Sequence, residues 1–74
     1  MRASGDGFLK RLGARIRELR RRHGLSQEAL ADRAQIDRSY MSGIERGVRN
    51  TSVLKLAKIA KALGVRVSAF FENN

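Results

Sequence analysis

Residues 27–46 read Gln-Glu-Ala-Leu-Ala-Asp-Arg-Ala-Gln-Ile-Asp-Arg-Ser-Tyr-Met-Ser-Gly-Ile-Glu-Arg. Two short helical patterns meet in this stretch. Ser26 stands where an N-cap is needed, and Glu28 adds negative charge to the first turn; Ala29 at the third position rules out a strict capping box. The second pattern starts after Asp37, another capping residue, and stops at Gly47. Leu30, Ala34, Ile36, Met41 and Ile44 have the spacing to bury two inner faces against each other. Ala31 falls where the helices approach most closely and a small side chain is needed. A generic helical hairpin uses longer helices and a tighter antiparallel loop. Helices this short, joined by Gln35-Ile36-Asp37, suit a crossing of about 90–120°, the geometry of a helix-turn-helix.

Working outward, Leu9, Leu12, Ile16 and Leu19 recur at helical spacing and predict a helix from about Phe8 to His23. It ends in the cationic turn Arg20-Arg21-Arg22 before Gly24. A fourth helix is predicted from about Ser52 to Leu63, capped by Thr51 or Ser52 and stopped by Gly64. Leu56, Ala60 and Leu63 face inward there, with Val53 and Ile59 beside them. A fifth, short turn is expected near Ser68 to Glu72. The chain has no proline, and its glycines read as punctuation at segment ends, as in an all-helical chain. The expectation is an all-α, compact five-helix domain over 8–74, with 1–7 a flexible N-terminal tail and Asn73 and Asn74 frayed.

Composition narrows the chemistry. At 74 residues the chain is one domain near the lower size limit for folding alone. It has no cysteine and a single histidine, His23, so neither a disulfide nor a metal site is expected, and no cofactor. Sixteen Lys and Arg against seven Asp and Glu give a net charge of +9, which favours a polyanionic partner. Nucleic acid is the first candidate and an anionic membrane surface the rival; a merely solubilising surface is the bland reading. No apolar run approaches the roughly 20 residues that span a bilayer. The N-terminus lacks a signal-like apolar stretch, so the cytoplasm is the expected location. No Ser-His-Asp arrangement or phosphate-cradling glycine loop points to an enzyme, and no small-molecule substrate is expected.

The fragments Gly-Leu-Ser-Gln-Glu-Ala-Leu-Ala (24–31), Ser-Gly-Ile-Glu-Arg-Gly (42–47) and Ala-Leu-Gly-Val (62–65) resemble the phage repressor and Cro-type helix-turn-helix proteins, the XRE family. The likeness spans about residues 9–72. Within that family, residues 37–50 look most like the controller proteins of restriction–modification systems. The resemblance implies a lambda-repressor-like fold and a sequence-specific transcriptional regulator that binds palindromic half-sites on double-stranded DNA as a homodimer. An antitoxin-type repressor, and a protein-interaction module that no longer reads DNA, are the alternatives. One departure stands out: the family usually has glycine in the turn, whereas this chain has Gln35. A left-handed backbone there costs on the order of 1–2 kcal/mol.

In this architecture the N-terminal residues of the recognition helix read the major groove. Arg38 is the candidate for bidentate readout of guanine. Ser39 bonds a base edge or a phosphate. Tyr40 stands between a DNA contact and local packing. Gly43 suggests close backbone approach and few base contacts. Phosphate contacts fall to Gln27, Ser42, Arg46, Arg49 and Asn50, with backbone N–H groups at Thr51 and Ser52. For Arg38, Ser39, Ser42 and Gln27 a solvated surface role is the alternative. Arg20 and Glu45 match a pair that the family joins by a structural salt bridge. Lys55, Lys58 and Lys61 read as a solvated face. Leu54, Val67, Phe70 and Phe71 are the candidate dimer interface, with Val65 nearby; the alternative places both phenylalanines in the core.

Overall fold

The computed structural model describes the backbone of residues 3–72 and the side chains of residues 7–72. The described residues form four α-helices: α1 (Ala3–Arg22), α2 (Gln27–Ala34), α3 (Arg38–Arg46) and α4 (Val53–Leu63). A 3-10 helix, Val67–Phe71, follows. There is no strand among the described residues. The fifth helix is therefore a five-residue 3-10 turn, closed by Ala69 N–H donating to the Arg66 carbonyl at 2.9 Å. Helix α1 begins at Ala3 rather than at Phe8, so residues 3–7 are helical. Met1, Arg2, Asn73 and Asn74 lie outside the described residues.

The helix boundaries follow from local chemistry. Ser26 Oγ accepts from Ala29 N–H at 3.0 Å, Ser52 Oγ accepts from Lys55 N–H at 3.1 Å, and Asp37 accepts from Ser39 and Tyr40 N–H. The hydroxyl of Ser39 adds a further, short bond to the Asp37 carboxylate. Helix α2 ends on Gln35, the one non-glycine residue with positive φ (57°, ψ 46°) among the described residues. The Ile36 N–H then reaches the Ala31 carbonyl at 2.9 Å, and Ile36 is buried. This is the left-handed closure that glycine usually supplies, built here on glutamine.

The core is continuous through Leu12, Ile16, Leu19, Leu30, Met41, Ile44, Leu56, Ile59, Leu63 and Phe70. Helix α1 packs on α3, and α2 packs on both α3 and α4. The expected inner face of α4 holds except at Val53, which is 78% exposed. As the first helical residue, Val53 projects its side chain back over the preceding turn, beyond the neighbouring helices.

Helices α1 and α3 approach more closely than side chains allow. A Cβ at Gly13 would stand 2.3 Å from the Ile44 carbonyl oxygen and 2.5 Å from that of Glu45. At Gly47, a Cβ would stand 2.6 Å from the Lys10 Cα. These two glycines let the α1 backbone lie directly on α3. Gly13 carries this role from inside a helix, not from a segment end.

Candidate nucleic-acid interface

Helix α3 turns Met41, Ile44 and Glu45 inward. At about 100° per residue, Ser39 and Arg46 then lie away from that inner face, Ser42 stands on the flank between, and Arg38, seven residues before Glu45, leaves the first turn within about 20° of the Glu45 direction. Arg38, Ser39 and Arg46 are exposed and Ser42 is half-buried. Arg49 and Asn50, also exposed, continue this surface on the loop after α3. The candidate residues on α3 and its loop thus form one cationic and hydroxylic strip along a flank of the helix, with the Asp37 carboxylate at its N-cap and Glu45 buried beside it.

Glu45 is 5% exposed and Arg20 is 9% exposed. Arg20 donates Nε to Glu45 Oε2 at 2.8 Å and Nη2 to Oε1 at 2.9 Å, a bidentate pair between α1 and α3. The Arg20 Nη1 donates to the Leu25 carbonyl at 2.9 Å. The hydrogen bond to Glu45 raises the Arg20 pKa still further, and burial opposes it. The expected structural salt bridge is therefore present, and it fixes the rotation of α3.

Gln27 belongs to the same knot. Its Nε2 donates to Glu45 Oε1 at 3.1 Å, so the side-chain amide is engaged within the protein. What Gln27 offers an anion is its backbone N–H at the start of α2, one of the first-turn groups that lack an intrahelical acceptor.

Tyr40 is packed rather than free. Arg49 and Lys55 stand over its ring, each 5.0 Å from the centroid, and its hydroxyl donates to the Asn50 carbonyl at 3.2 Å. The ring braces the loop after α3 and the start of α4 against the recognition helix, placing two cations at that end of the strip. Gly43 has a related explanation. It is buried under Arg49, whose Cγ would lie 2.5 Å from an added Cβ, and its carbonyl accepts from Val48 and Arg49 N–H. The close approach expected at Gly43 is thus made by Arg49 of the same chain. The lysine series on α4 is split: Lys55 joins Tyr40, whereas Lys58 and Lys61 are exposed.

The apolar candidates separate. Phe70 is 3% exposed and belongs to the core, so it is unavailable as an interface residue. In a 3-10 helix, side chains three apart eclipse, which carries Phe70 inward above the half-buried Val67 and leaves Phe71 outside. Phe71 stacks on Phe8 of α1 at 6.0 Å between centroids and 12° between planes. Leu54 is 68% exposed, two residues from Leu56 and hence about 200° around α4 from it. Val53 and Phe8 are further exposed apolar residues that the sequence did not flag.

A helix-turn-helix family profile matches residues 16–70. The chain is similar to the control protein C.MunI of a Mycoplasma species, 41% identical over 64 residues, covering 85% of this chain and 86% of that protein. Among solved structures it is similar to the restriction–modification controller protein C.AhdI from Aeromonas hydrophila. That match has a TM-score of 0.87 and 46% identity, and it covers 88% of this chain and 98% of the other. It is also similar to the controller protein C.Esp1396I, solved as a tetramer with its natural 35 base-pair operator (TM-score 0.78, 40% identity, covering 85% and 83%). These relatives are regulators and not enzymes. Together with the strip on α3, they establish that the chain belongs to the XRE-type helix-turn-helix family of DNA-binding transcriptional regulators.

Proposed function

We propose that this chain reads a palindromic operator as a homodimer and acts as the controller of a restriction–modification gene set. The observation that carries the reading is the strip of Arg38, Ser39, Ser42 and Arg46 along the solvent-facing flank of α3. With α3 in the major groove, Arg38 at its N-terminus grips guanine O6 and N7, and the Ser39 hydroxyl, which donates to Asp37, accepts from a base-edge amino group. Ser42, Arg46, Arg49, Asn50 and the Gln27 backbone N–H hold the flanking phosphates. Tyr40 serves mainly as the brace that sets the direction of Arg49 and Lys55.

A single unit of this kind covers about half a turn of duplex, so a dimer spanning half-sites about 34 Å apart is needed for useful affinity. Exposed Leu54 and Phe71, with exposed Val53 and half-buried Val67, are the apolar residues available for it. The likeness to controller proteins supports the finer assignment, and action on DNA supports a cytoplasmic location. The test is a titration of labelled duplexes at several salt concentrations. Arg38→Ala should lose discrimination by about 1–3 kcal/mol while Arg46→Ala weakens all duplexes alike. Unchanged discrimination by Arg38→Ala contradicts the reading.

A further inference from the structure

Helix α1 carries more positive charge than its ion pairs use. Arg15 and Arg22 pair with Glu18, Arg15 also reaches Glu72 at 3.9 Å, and Arg20 is committed to Glu45. Arg17 is different. Its neighbours at three and four residues are Gly13, Ala14, Arg20 and Arg21, so no carboxylate on its own helix can reach it. It is exposed, and the two small residues on its N-terminal side leave it uncovered.

The register of α1 on α3 decides where Arg17 points. Gly13 lies against the Ile44 and Glu45 carbonyls, and Arg20 grips the Glu45 carboxylate, so these two residues mark the contact line. Leu12, Ile16 and Leu19 define the core side of that line. Arg17 falls about 40° from Gly13 and about 60° from Arg20, in both cases away from the core. On α3 the same construction holds: Glu45 marks the contact line, Met41 and Ile44 the core side, and Ser42 and Arg46 the side away from it. Arg17 therefore lies on the surface that continues the α3 strip across the helix junction. Lys10, whose backbone packs on Gly47 at the end of α3, lies on the same side of α1 one turn before Gly13.

We propose that the DNA surface extends onto α1, where Arg17 holds a backbone phosphate beyond those reached from α2, α3 and the following loop. This rests on the reading of α3 as the DNA-facing helix. The partner is duplex DNA because the surface is cationic and contiguous with the recognition strip. The contact carries no sequence information, so its signature is electrostatic.

The experiment measures binding of a fluorescent duplex across a range of potassium chloride concentrations, for wild type, Arg17→Gln, Arg38→Ala and the remote cation variant Lys61→Gln. Arg17→Gln should reduce the salt slope of log K by about one and weaken binding roughly 5–10-fold near 0.1 M salt, with sequence discrimination unchanged. Circular dichroism should show the same helicity as wild type. A slope equal to that of wild type, or a fall no larger than that of Lys61→Gln, overturns the proposal even if Arg38→Ala still loses discrimination. Failure of wild type to bind any duplex instead defeats the underlying reading of α3, and the extension with it. Binding of an acidic protein that Arg17→Gln abolishes, with DNA binding unaltered, assigns the surface to another partner and also overturns the proposal.

Discussion

Replacing Gly13 by alanine sets two opposed effects against each other. Helix propensity alone favours alanine over glycine by about 1 kcal/mol inside a helix. Packing opposes it, because the new Cβ would meet the Ile44 carbonyl oxygen at 2.3 Å and the Glu45 carbonyl oxygen at 2.5 Å. Both obstacles are backbone, so no rotamer change relieves them. Restoring an ordinary 3.4 Å contact requires α1 and α3 to part by about 1.1 Å. Overpacking of this kind costs about 1–3 kcal/mol. The separation also stretches the Arg20–Glu45 bonds, now 2.8 and 2.9 Å, and so draws on the roughly 3–5 kcal/mol lost when a buried pair is broken outright. The net expectation is a loss of about 2–4 kcal/mol, a large part of the roughly 4–11 kcal/mol that a domain this size commands. Thermal unfolding followed by circular dichroism should show Tm falling by at least about 10 °C. Ala14→Gly, on the exposed side of the same helix, reports propensity alone and should cost about 1 kcal/mol. A Tm for Gly13→Ala equal to or above wild type would refute the close helix junction and the orientation of α3 that depends on it.

Other outcomes follow from the same geometry. Glu45→Ala leaves the Arg20 guanidinium and the Gln27 amide without their shared acceptor and should cost about 3–5 kcal/mol in chemical denaturation. Gln35→Gly relieves the left-handed strain and should stabilise by about 1 kcal/mol, despite the added freedom of the unfolded chain; a destabilised variant would show that glutamine is comfortable there. The Asp37 carboxyl is held below its ordinary value of 3.8 by its bonds to the Ser39 side chain and the Tyr40 and Ser39 N–H groups. A carboxyl with a depressed folded value contributes stability that is complete above its unfolded value and is lost as pH falls through the folded one. Asp37→Asn should therefore flatten the loss of stability in acid below about pH 4, measured as Tm against pH. Leu54→Asp should shift the protein from dimer to monomer in sedimentation without lowering its helicity.

Much of this molecule was legible in its sequence because capping and stop residues act locally. Ser26, Asp37, Gly47 and Gly64 fixed the ends of α2, α3 and α4 within a residue, and the inner face of the helix pair followed from periodicity. The Arg20–Glu45 pair came through family resemblance, since residues 25 apart carry no local sign of contact. What stayed hidden depends on tertiary register. Gly13 gave one clue, a glycine out of place within an apolar helical repeat, but its cause is the α3 backbone. Gln27 and Tyr40 look like free polar residues until Glu45, Arg49 and Lys55 are placed around them. Phe70 and Phe71 are adjacent and alike, and only the pitch of the 3-10 turn decides which is buried. The helical start of α1 at Ala3 was obscured by Gly5 and Gly7, poor helix formers.

The central claim is that α3 reads duplex DNA through Arg38, in two copies related by a two-fold axis. Selection of bound sequences from a random duplex library tests it most directly, with wild type and Arg38→Ala run side by side. Wild type should enrich an inverted repeat whose half-sites lie about 10 base pairs apart, centre to centre, each with a guanine that the variant no longer requires. Enrichment of the same guanine by both proteins, or no enriched repeat at all, would contradict the account.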